Sequence, residues 1–196
     1  MAVGIVPFVV SDEALLKKAV AGDRESLDEL FKRYRLVAYR VAHRLLGNEA
    51  DALDAVQDGF VKALLHLPSF QGRSSFKTWL LRVVSNAALD LGRQRGRREV
   101  VSIDSMGPKY REECEPLLDS DPSRDLDRHD MRRKLQEALD ELPVAQRQTF
   151  VLHAEAELSY REVAETLGIS IGTVMSRIFY ARLRLRVLLD PWMKHE

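Results

Sequence analysis

The sequence predicts an all-α protein with two small helical domains joined by a flexible acidic linker. Apolar residues recur at spacings of three and four over residues 11–98 and again over 126–190, which is the period of one helix face. No run of convincing length alternates apolar and polar residues as a half-buried β-strand does. Between the two periodic parts, residues 99–125 combine prolines with a run of acidic side chains and lack any periodicity.

Four helices are predicted in the first half, over about residues 11–21, 27–47, 49–67 and 76–91. Gly22 and Gly47 mark the ends of the first two. The apolar stripe of the third is predicted to consist of Leu53, Val56, Phe60, Leu64 and Leu67. Residues 68–72 read Pro-Ser-Phe-Gln-Gly, which is turn chemistry that separates the third helix from the fourth.

Helical periodicity resumes at Leu126 and continues to Leu142, and Pro143 then stands as the first residue of a helix that ends near Ala156. The predicted organisation is therefore an N-terminal extension, a first domain, a linker and a second domain, at residues 1–10, 11–98, 99–125 and 126–196. Cys114, the single cysteine, falls in the linker.

A helix-turn-helix is predicted near the C-terminus. Ser159 and Glu162 have the spacing of a capping box, in which each side chain accepts a backbone hydrogen bond from the other residue. Gly168 can adopt the positive φ that ends this helix, and Ser170 can cap the next one. The small Ala164 allows the two helices to approach closely. This combination indicates a unit that binds duplex DNA.

The second helix of this unit has the composition of a recognition helix. A predicted inner face consists of Val174, Ile178, Ala181 and Leu185. The outward candidates for DNA contact are Thr173, Met175, Ser176, Arg177, Phe179, Tyr180 and Arg182. Residues 173–186 contain four arginines and no acidic residue, which suits phosphate binding. The alternative is an ordinary helical hairpin with a solvated basic face.

Aromatic and basic residues alternate in the middle of the first half, and four arginines follow at Arg93, Arg95, Arg97 and Arg98. The candidate nucleic-acid contacts are Phe70, Gln71, Gly72, Arg73, Phe76, Lys77, Arg82 and Asn86. Aromatic rings beside cations suit single-stranded nucleic acid, because an unstacked base can stack again on the ring while cations follow the backbone. The alternative interpretation is that Phe76 and Trp79 belong to the core.

The formal net charge is zero, which taken alone argues against a nucleic-acid-binding protein. The charge is unevenly distributed, however. Residues 73–98 carry seven basic and one acidic side chain, a net +6, and residues 173–196 carry a net +3. Residues 99–141 carry a net −6. Two basic blocks that flank an acidic middle indicate two polyanion-binding surfaces.

Several other classes of protein are disfavoured. One cysteine excludes an internal disulfide, and the apolar start is too short for a membrane span and lacks the basic region of a signal peptide, so a cytoplasmic protein without membrane insertion is expected. The five histidines are scattered without metal-ligand spacing, and neither a P-loop nor a nucleophile elbow is present. We therefore expect no enzyme activity, no metal, no cofactor and no small-molecule substrate.

Three stretches of this sequence resemble the bacterial extracytoplasmic-function (ECF) sigma factors of the sigma-70 family, the small two-domain initiation subunits of RNA polymerase. The first is DAVQDGFVKA at residues 54–63 and the second is FQGRSSFKTWL at residues 70–80; the third has two parts, LPVAQR at residues 142–147 and GTVMSR at residues 172–177. They occur in the order and spacing of sigma regions two and four. The resemblance implies promoter recognition as a subunit of the polymerase.

The resemblance also implies roles for individual residues. Asp54, Gln57 and Asp58 would lie on the helix that docks onto core RNA polymerase. Residues 70–73 would capture a flipped base of the −10 element, with Asn86 reading an upstream base, and the last helix would read the −35 element in duplex DNA. An anti-sigma factor that holds the two domains is a further expected partner. The acidic linker would thread the RNA exit path of the polymerase.

The sequence departs from the family pattern at Met175 and Tyr180, where members often carry lysine or arginine. This departure leaves the −35 sequence open. An alternative function, a free-standing helix-turn-helix regulator, would leave the first half as a sensor or dimerisation domain and would bind duplex DNA without polymerase.

Overall fold

The computed structural model describes the backbone of residues 10–101 and 122–193 and the side chains of residues 10–95 and 130–190. Both described backbone ranges are helical with short connections, which confirms the all-α prediction. The helices are α1 (Asp12–Val20), α2 (Arg24–Leu46), α3 (Glu49–His66), α4 (Phe76–Val101), α5 (Pro122–Asp140), α6 (Val144–Ala154), α7 (Tyr160–Leu167) and α8 (Ile171–Met193). Most of the predicted N-terminal extension, and residues 102–121 of the predicted linker with Cys114, lie outside the described residues.

Helix ends differ from the predicted ones by a few residues. The helix α4 continues to Val101, and α5 begins at Pro122 rather than at Leu126. A proline fits there, since the first turn of a helix leaves its backbone N–H groups without intrahelical partners. Pro143 caps α6 instead of forming its first residue, because its carbonyl accepts the N–H groups of Gln146 and Arg147 at 2.8 and 2.9 Å.

The first four helices form a bundle around large, fully buried side chains, namely Leu30, Val41, Leu80, Leu81 and Val84. An aromatic layer crosses this core, in which the rings of Phe31 and Phe60 stack with centroids 4.5 Å apart. The helix α1 is fixed to α2 through Asp12, which accepts hydrogen bonds from Arg33 Nη1 at 2.9 Å and from the Tyr34 hydroxyl. Burial and the bond to Asp12 both raise the pKa of Tyr34.

Val56 and Leu67 of the apolar stripe predicted for the third helix are buried, but Leu53 and Leu64 are about half exposed. The buried positions of α3 are Asp51, Ala52, Ala55, Val56, Gly59 and Ala63. A Cβ placed on Gly59 would lie only 2.8 Å from Val84 Cγ2 and 3.0 Å from Val84 Cα. The prediction for the two leucines was therefore wrong because α3 approaches α4 so closely that only small side chains fit between the helices.

The helices α6, α7 and α8 form the second bundle around Leu152, Leu158, Val163 and Ile178, with α5 packed beside α8. The four inward residues predicted for the last helix are all buried, which confirms its orientation. Within the described ranges, none of the helices combines the length and the apolar character that a membrane span requires.

The two bundles contact each other through polar groups. Arg44 Nε of α2 donates to Glu155 Oε1 at the end of α6 at 2.8 Å, and Gln136 Nε2 of α5 donates to the Arg44 carbonyl at 3.2 Å. Gln148 Nε2 of α6 reaches Ser85 Oγ of α4 at 3.5 Å in a buried position. The helix α7 also packs against α4. The surfaces of the two bundles are thus held in one defined arrangement.

Candidate nucleic-acid interface

The predicted capping box begins the helix-turn-helix. Ser159 Oγ accepts the Glu162 N–H at 3.2 Å, and Glu162 Oε2 accepts the Ser159 N–H at 2.8 Å, which confirms the reciprocal pattern. The hydrogen bonds from Ser159, with a smaller contribution from the charge of Lys77, lower the pKa of Glu162. The carboxylate of Glu162 is therefore kept ionised where it caps α7.

The turn between α7 and α8 also forms as predicted. Gly168 has a φ of 65°, a left-handed conformation that disfavours any residue with a Cβ. Its N–H donates a hydrogen bond to the Ala164 carbonyl. Ser170 Oγ then accepts the Thr173 N–H at 3.1 Å and caps α8. These local bonds fix the direction in which α8 leaves the turn.

The outward face of α8 carries the predicted contact residues. Met175 and Phe179 are 54 % and 63 % exposed, and Tyr180, Ser176 and Arg182 are also exposed, while Thr173 and Arg177 are half-buried. The rings of Phe179 and Tyr180 meet edge to face with centroids 5.4 Å apart. The structure therefore places all seven residues away from the packed face, with large apolar groups at the centre of the exposed face.

Hydroxyl groups near the start of α8 are occupied within the protein. Ser176 Oγ donates to the Thr173 carbonyl at 3.0 Å, and Thr173 Oγ1 shares a hydrogen bond with Ser170 Oγ at 2.9 Å. Each of these hydroxyl groups therefore already has a hydrogen-bond partner within the protein.

Arg182 is positioned by a histidine that sequence reasoning did not select. His153 Nδ1 lies 2.8 Å from the Leu158 carbonyl, so Nδ1 carries the proton and donates to it. The opposite nitrogen, Nε2, is then an acceptor and lies 3.4 Å from Arg182 Nη2. The imidazole also contacts the Tyr160 ring edge to face, with centroids 4.9 Å apart. His153 thus connects the loop before α7 with the phosphate-binding candidate on α8.

The structure corrects one of the predicted contacts in the first bundle. Phe76 is only 3 % exposed and packs against Phe31, Tyr34 and Trp79, so its ring belongs to the core and cannot stack on a base. Phe70 is half-buried, with its ring 5.0 Å from that of Trp79. The aromatic residues thus form a chain from the core toward the loop that precedes α4.

The loop at residues 71–73 is open. Gln71, Gly72 and Arg73 are exposed, and Gly72 has a φ of 66°, with open space on the side where a Cβ would point. Beyond the loop, Arg82 and Asn86 are exposed one helical turn apart on α4. The loop and these two positions of α4 are therefore open to solvent.

Several cations of the basic block are paired. Lys77 is half-buried and near Glu162 of α7, and Arg93 Nη2 contacts Asp90 Oδ1 at 2.6 Å. Arg95 forms an ion pair with Asp51, a buried carboxylate at the start of α3 that sequence reasoning missed. The side chains of Arg97 and Arg98 lie outside the described residues.

Asp54, Gln57 and Asp58 are all exposed on one face of α3. Asp58 pairs with Lys62 at 2.7 Å. A shallow groove of about 420 Å³ separates this face from α4 and includes Asp54, Asp58 and Asp90 in its lining. Leu53 and Leu64, which are about half exposed, lie on α3 as well. This helix therefore exposes both acidic and apolar side chains.

The described side chains contain no group of three or more His, Cys, Asp or Glu residues placed to hold a metal ion.

The chain matches two known protein families, each over one of the bundles. Residues 30–98 match the family described as Sigma-70 region 2, and residues 132–185 match Sigma-70, region 4. The ECF RNA polymerase sigma factor SigE of Mycolicibacterium smegmatis is 37 % identical over 172 residues, which cover 87 % of this chain and 63 % of that relative. The RNA polymerase sigma-H factor of Pseudomonas aeruginosa is 30 % identical over 185 residues, which cover 93 % of this chain and 96 % of that relative.

Two solved structures have a similar fold over most of their length. One is CnrH in complex with the cytosolic domain of CnrY, with a TM-score of 0.67 and 27 % identity, covering 92 % of this chain and 97 % of that one. The other is the sigma factor RpoE in complex with the anti-sigma factor NepR from Bartonella quintana, with a TM-score of 0.63 and 27 % identity, covering 83 % of this chain and 97 % of that one.

Proposed function

The chain belongs to the ECF sigma factors of the sigma-70 family, and on this premise we propose that it directs core RNA polymerase to promoters and starts transcription there. The observation that carries the proposal is the pairing of two matched regions in one chain, each with an exposed nucleic-acid-type surface. A free-standing helix-turn-helix protein would explain the second region, but it would not account for the match of the first region to Sigma-70 region 2. We also propose that the chain acts in the cytoplasm and has no enzymatic activity of its own, because its relatives are named as sigma factors of RNA polymerase.

Core RNA polymerase is proposed to bind the exposed face of α3. Asp54, Gln57 and Asp58 are accessible there, and the neighbouring groove toward α4 provides a concave surface. The half-exposed Leu53 and Leu64 can supply apolar contact area beside these polar groups. A basic, partly apolar helical surface would be complementary to this face.

The −10 element is proposed to bind as a single strand at the loop before α4. Within four residues this loop offers a ring at Phe70, an amide at Gln71, close backbone approach at Gly72 and a cation at Arg73. Lys77, Arg82 and Asn86 extend this surface along α4. Phe76 supports it from the core, since its ring packs against Trp79, which in turn contacts Phe70. Flipping a base costs a few kcal/mol of stacking, and a preformed pocket offsets this cost.

The −35 element is proposed to bind as duplex DNA, with α8 in the major groove. Met175, Ser176 and Phe179 face outward near the start of the helix, where a recognition helix contacts base edges. Arg177 lies among these residues and Arg182 further along α8, and the guanidinium groups of both can bind phosphate. Thr173 and Tyr180 complete the outward set.

An anti-sigma factor is proposed as the regulatory partner. Both structural relatives are complexes, and one of them is a sigma factor bound to an anti-sigma factor. In this chain the two bundles meet through the bond from Arg44 to Glu155 and through the packing of α7 on α4. A partner that wraps both bundles in this arrangement would keep the −10 and −35 surfaces from binding one promoter together.

The experiment that tests the proposed function uses the full chain with core RNA polymerase and a library of bacterial promoter fragments. We expect tight binding to core polymerase and run-off transcripts whose start sites share common −35 and −10 sequences. Failure to bind core polymerase would contradict the proposal. Specific binding to duplex fragments in the absence of polymerase would instead support the free-standing regulator.

A matched pair of variants tests the assignment of the polymerase face. Asp54→Lys reverses an exposed charge on α3, and Asp28→Lys makes the same change at an exposed position on α2. We expect Asp54→Lys to weaken binding to core polymerase about tenfold, on the order of 1.4 kcal/mol, and Asp28→Lys to leave it unchanged. Equal effects of the two variants would indicate a general charge effect rather than a contact.

A further inference from the structure

The exposed face of α8 is unusually apolar for a helix that contacts DNA. Residues 171–176 carry no charged side chain, and the first cation of the helix is Arg177, which is half-buried. Met175 and Phe179 follow each other by one helical turn, and each is more than half exposed. A solvent-facing apolar patch of this kind marks a contact surface.

The hydroxyl groups near this patch already have hydrogen-bond partners within the protein, so the apolar side chains are its distinctive feature. The Ser176 hydroxyl donates to the Thr173 carbonyl, and Thr173 Oγ1 is bonded to Ser170 Oγ. Met175 has no donor and only a weak sulfur acceptor, so it cannot satisfy a base edge that needs a hydrogen bond. A guanine or cytosine edge placed against Met175 would lose its hydrogen bonds to water without compensation.

Only one base edge in the major groove of unmodified DNA offers an apolar group, and this is thymine with its C5 methyl. Resting on the proposed function of α8, we propose that Met175, with Phe179 one turn further along, determines the −35 specificity of this chain by contacting the methyl group of a thymine. The discrimination at that position is then carried by apolar contact rather than by a bidentate hydrogen bond. Arg177 and Arg182 contribute affinity that does not depend on sequence.

The test begins with holoenzyme assembled from the full chain and core polymerase. A duplex library with a randomised −35 region is selected for open-complex formation, and the best duplex then serves as the probe. Each thymine of its −35 region is replaced singly by deoxyuracil, which removes the methyl and leaves the hydrogen-bonding edge unchanged. We expect one such replacement to weaken open-complex formation about fourfold, as expected for one buried methyl-sized group.

Variants of methionine assign the effect to one side chain. Met175→Leu retains an apolar side chain and should retain the sensitivity to uracil, whereas Met175→Gln should bind thymine and uracil probes equally. Met131→Gln is the matched control, because Met131 is a half-exposed methionine that lies on α5 rather than on α8. This control should retain the full sensitivity of the unmodified chain.

Three outcomes would count against the inference. Indifference of the holoenzyme to uracil at every thymine would overturn it, and so would unchanged sensitivity in Met175→Gln. In both cases transcription from the selected duplex would still support the proposed function. Absence of any selected duplex or run-off transcript would contradict the proposed function itself and remove the basis of the inference.

Discussion

Gly59 is the position at which the packing of the first bundle can be tested most directly. It lies in the interior of α3, where it faces Val84 of α4, and a Cβ there would be 2.8 Å from Val84 Cγ2 and 3.0 Å from Val84 Cα. The first atom is a methyl that can rotate, but the second is backbone. Gly59→Ala therefore forces α3 and α4 apart or bends one of them.

The expected change in the free energy of unfolding follows from two opposing terms. Alanine is favoured over glycine in a helix interior by about 1 kcal/mol. Overpacking a well-packed core costs about 1–3 kcal/mol, and the backbone contact at Val84 places Gly59→Ala in the upper part of this range. The net expectation is a destabilisation of about 1–2 kcal/mol.

Gly92→Ala is the matched control for this substitution. Gly92 lies inside α4, and the nearest atom to its Cβ position is the flexible end of Leu46, at 3.4 Å from Cδ2. The helix preference for alanine is then realised without a clash, so we expect Gly92→Ala to stabilise the protein by about 0.5–1 kcal/mol. The two glycine substitutions should therefore have opposite signs.

The assay is guanidinium unfolding of the full chain followed by tryptophan fluorescence. The chain has two tryptophans, and Trp192→Phe leaves Trp79, in the first bundle, as the only one. Gly59→Ala and Gly92→Ala are each made in the Trp192→Phe chain, and their unfolding midpoints are compared with the unfolding midpoint of the Trp192→Phe chain. Stabilisation by Gly59→Ala as large as that by Gly92→Ala would refute the argument that the close approach of α3 to α4 requires glycine.

Two further predictions concern the contact between the bundles and its surroundings. Arg44→Met and Glu155→Gln, alone and combined, should show a coupling energy of about 0.5–1 kcal/mol in thermal unfolding, since both side chains are only 19–25 % exposed, and additivity within about 0.3 kcal/mol would contradict the contact. Burial, followed by the charge of Arg44, lowers the pKa of His43 below its ordinary value of 6.5. The unfolded chain therefore binds a proton more readily, and stability should fall as the pH drops below about 6.5 toward the folded pKa. His43→Gln should flatten this part of the stability-against-pH curve, and an unchanged slope would exclude His43 as its source.

The second bundle could be predicted from the sequence because its signals are local. Ser159 and Glu162 are three residues apart, and Gly168 acts through its own φ, so the cap and the turn follow from short stretches of sequence. The outward residues of α8 were also found, since its four buried positions follow the helical period. The roles given to these residues in DNA binding remain predictions.

The predictions that failed depended on long-range packing. The apolar positions of α3 extend around most of the helix, and the period alone did not show that α4 would contact the small residues instead of Leu53 and Leu64. The spacing of Phe76 suits both a core position and a surface position for base contact, and only its packing against Phe31 and Tyr34 decides between them.

Other features have no local signal at all. Arg44 and Glu155 are 111 residues apart in the chain, and no pattern in either helix indicates that they meet. Asp51 likewise reads as an ordinary acidic residue in the first turn of a helix, yet it is buried beneath Arg95. His153 is one of five histidines without metal-ligand spacing, and its position beside Arg182 depends on how the loop before α7 folds.

The contact between the bundles has a consequence for any molecule that binds to either surface. Both bundles belong to one polypeptide, so Arg44 meets Glu155 as an intramolecular event, at an effective concentration set by the chain that joins the bundles. A partner that inserts between α4 and α7 competes with this local concentration rather than with a free protein in dilute solution. The binding free energy of such a partner is reduced by the free energy of the contact between the bundles. A partner that binds both bundles without separating them does not incur this loss. A molecule that separates the two bundles therefore needs a higher intrinsic affinity than a molecule that binds both bundles in contact.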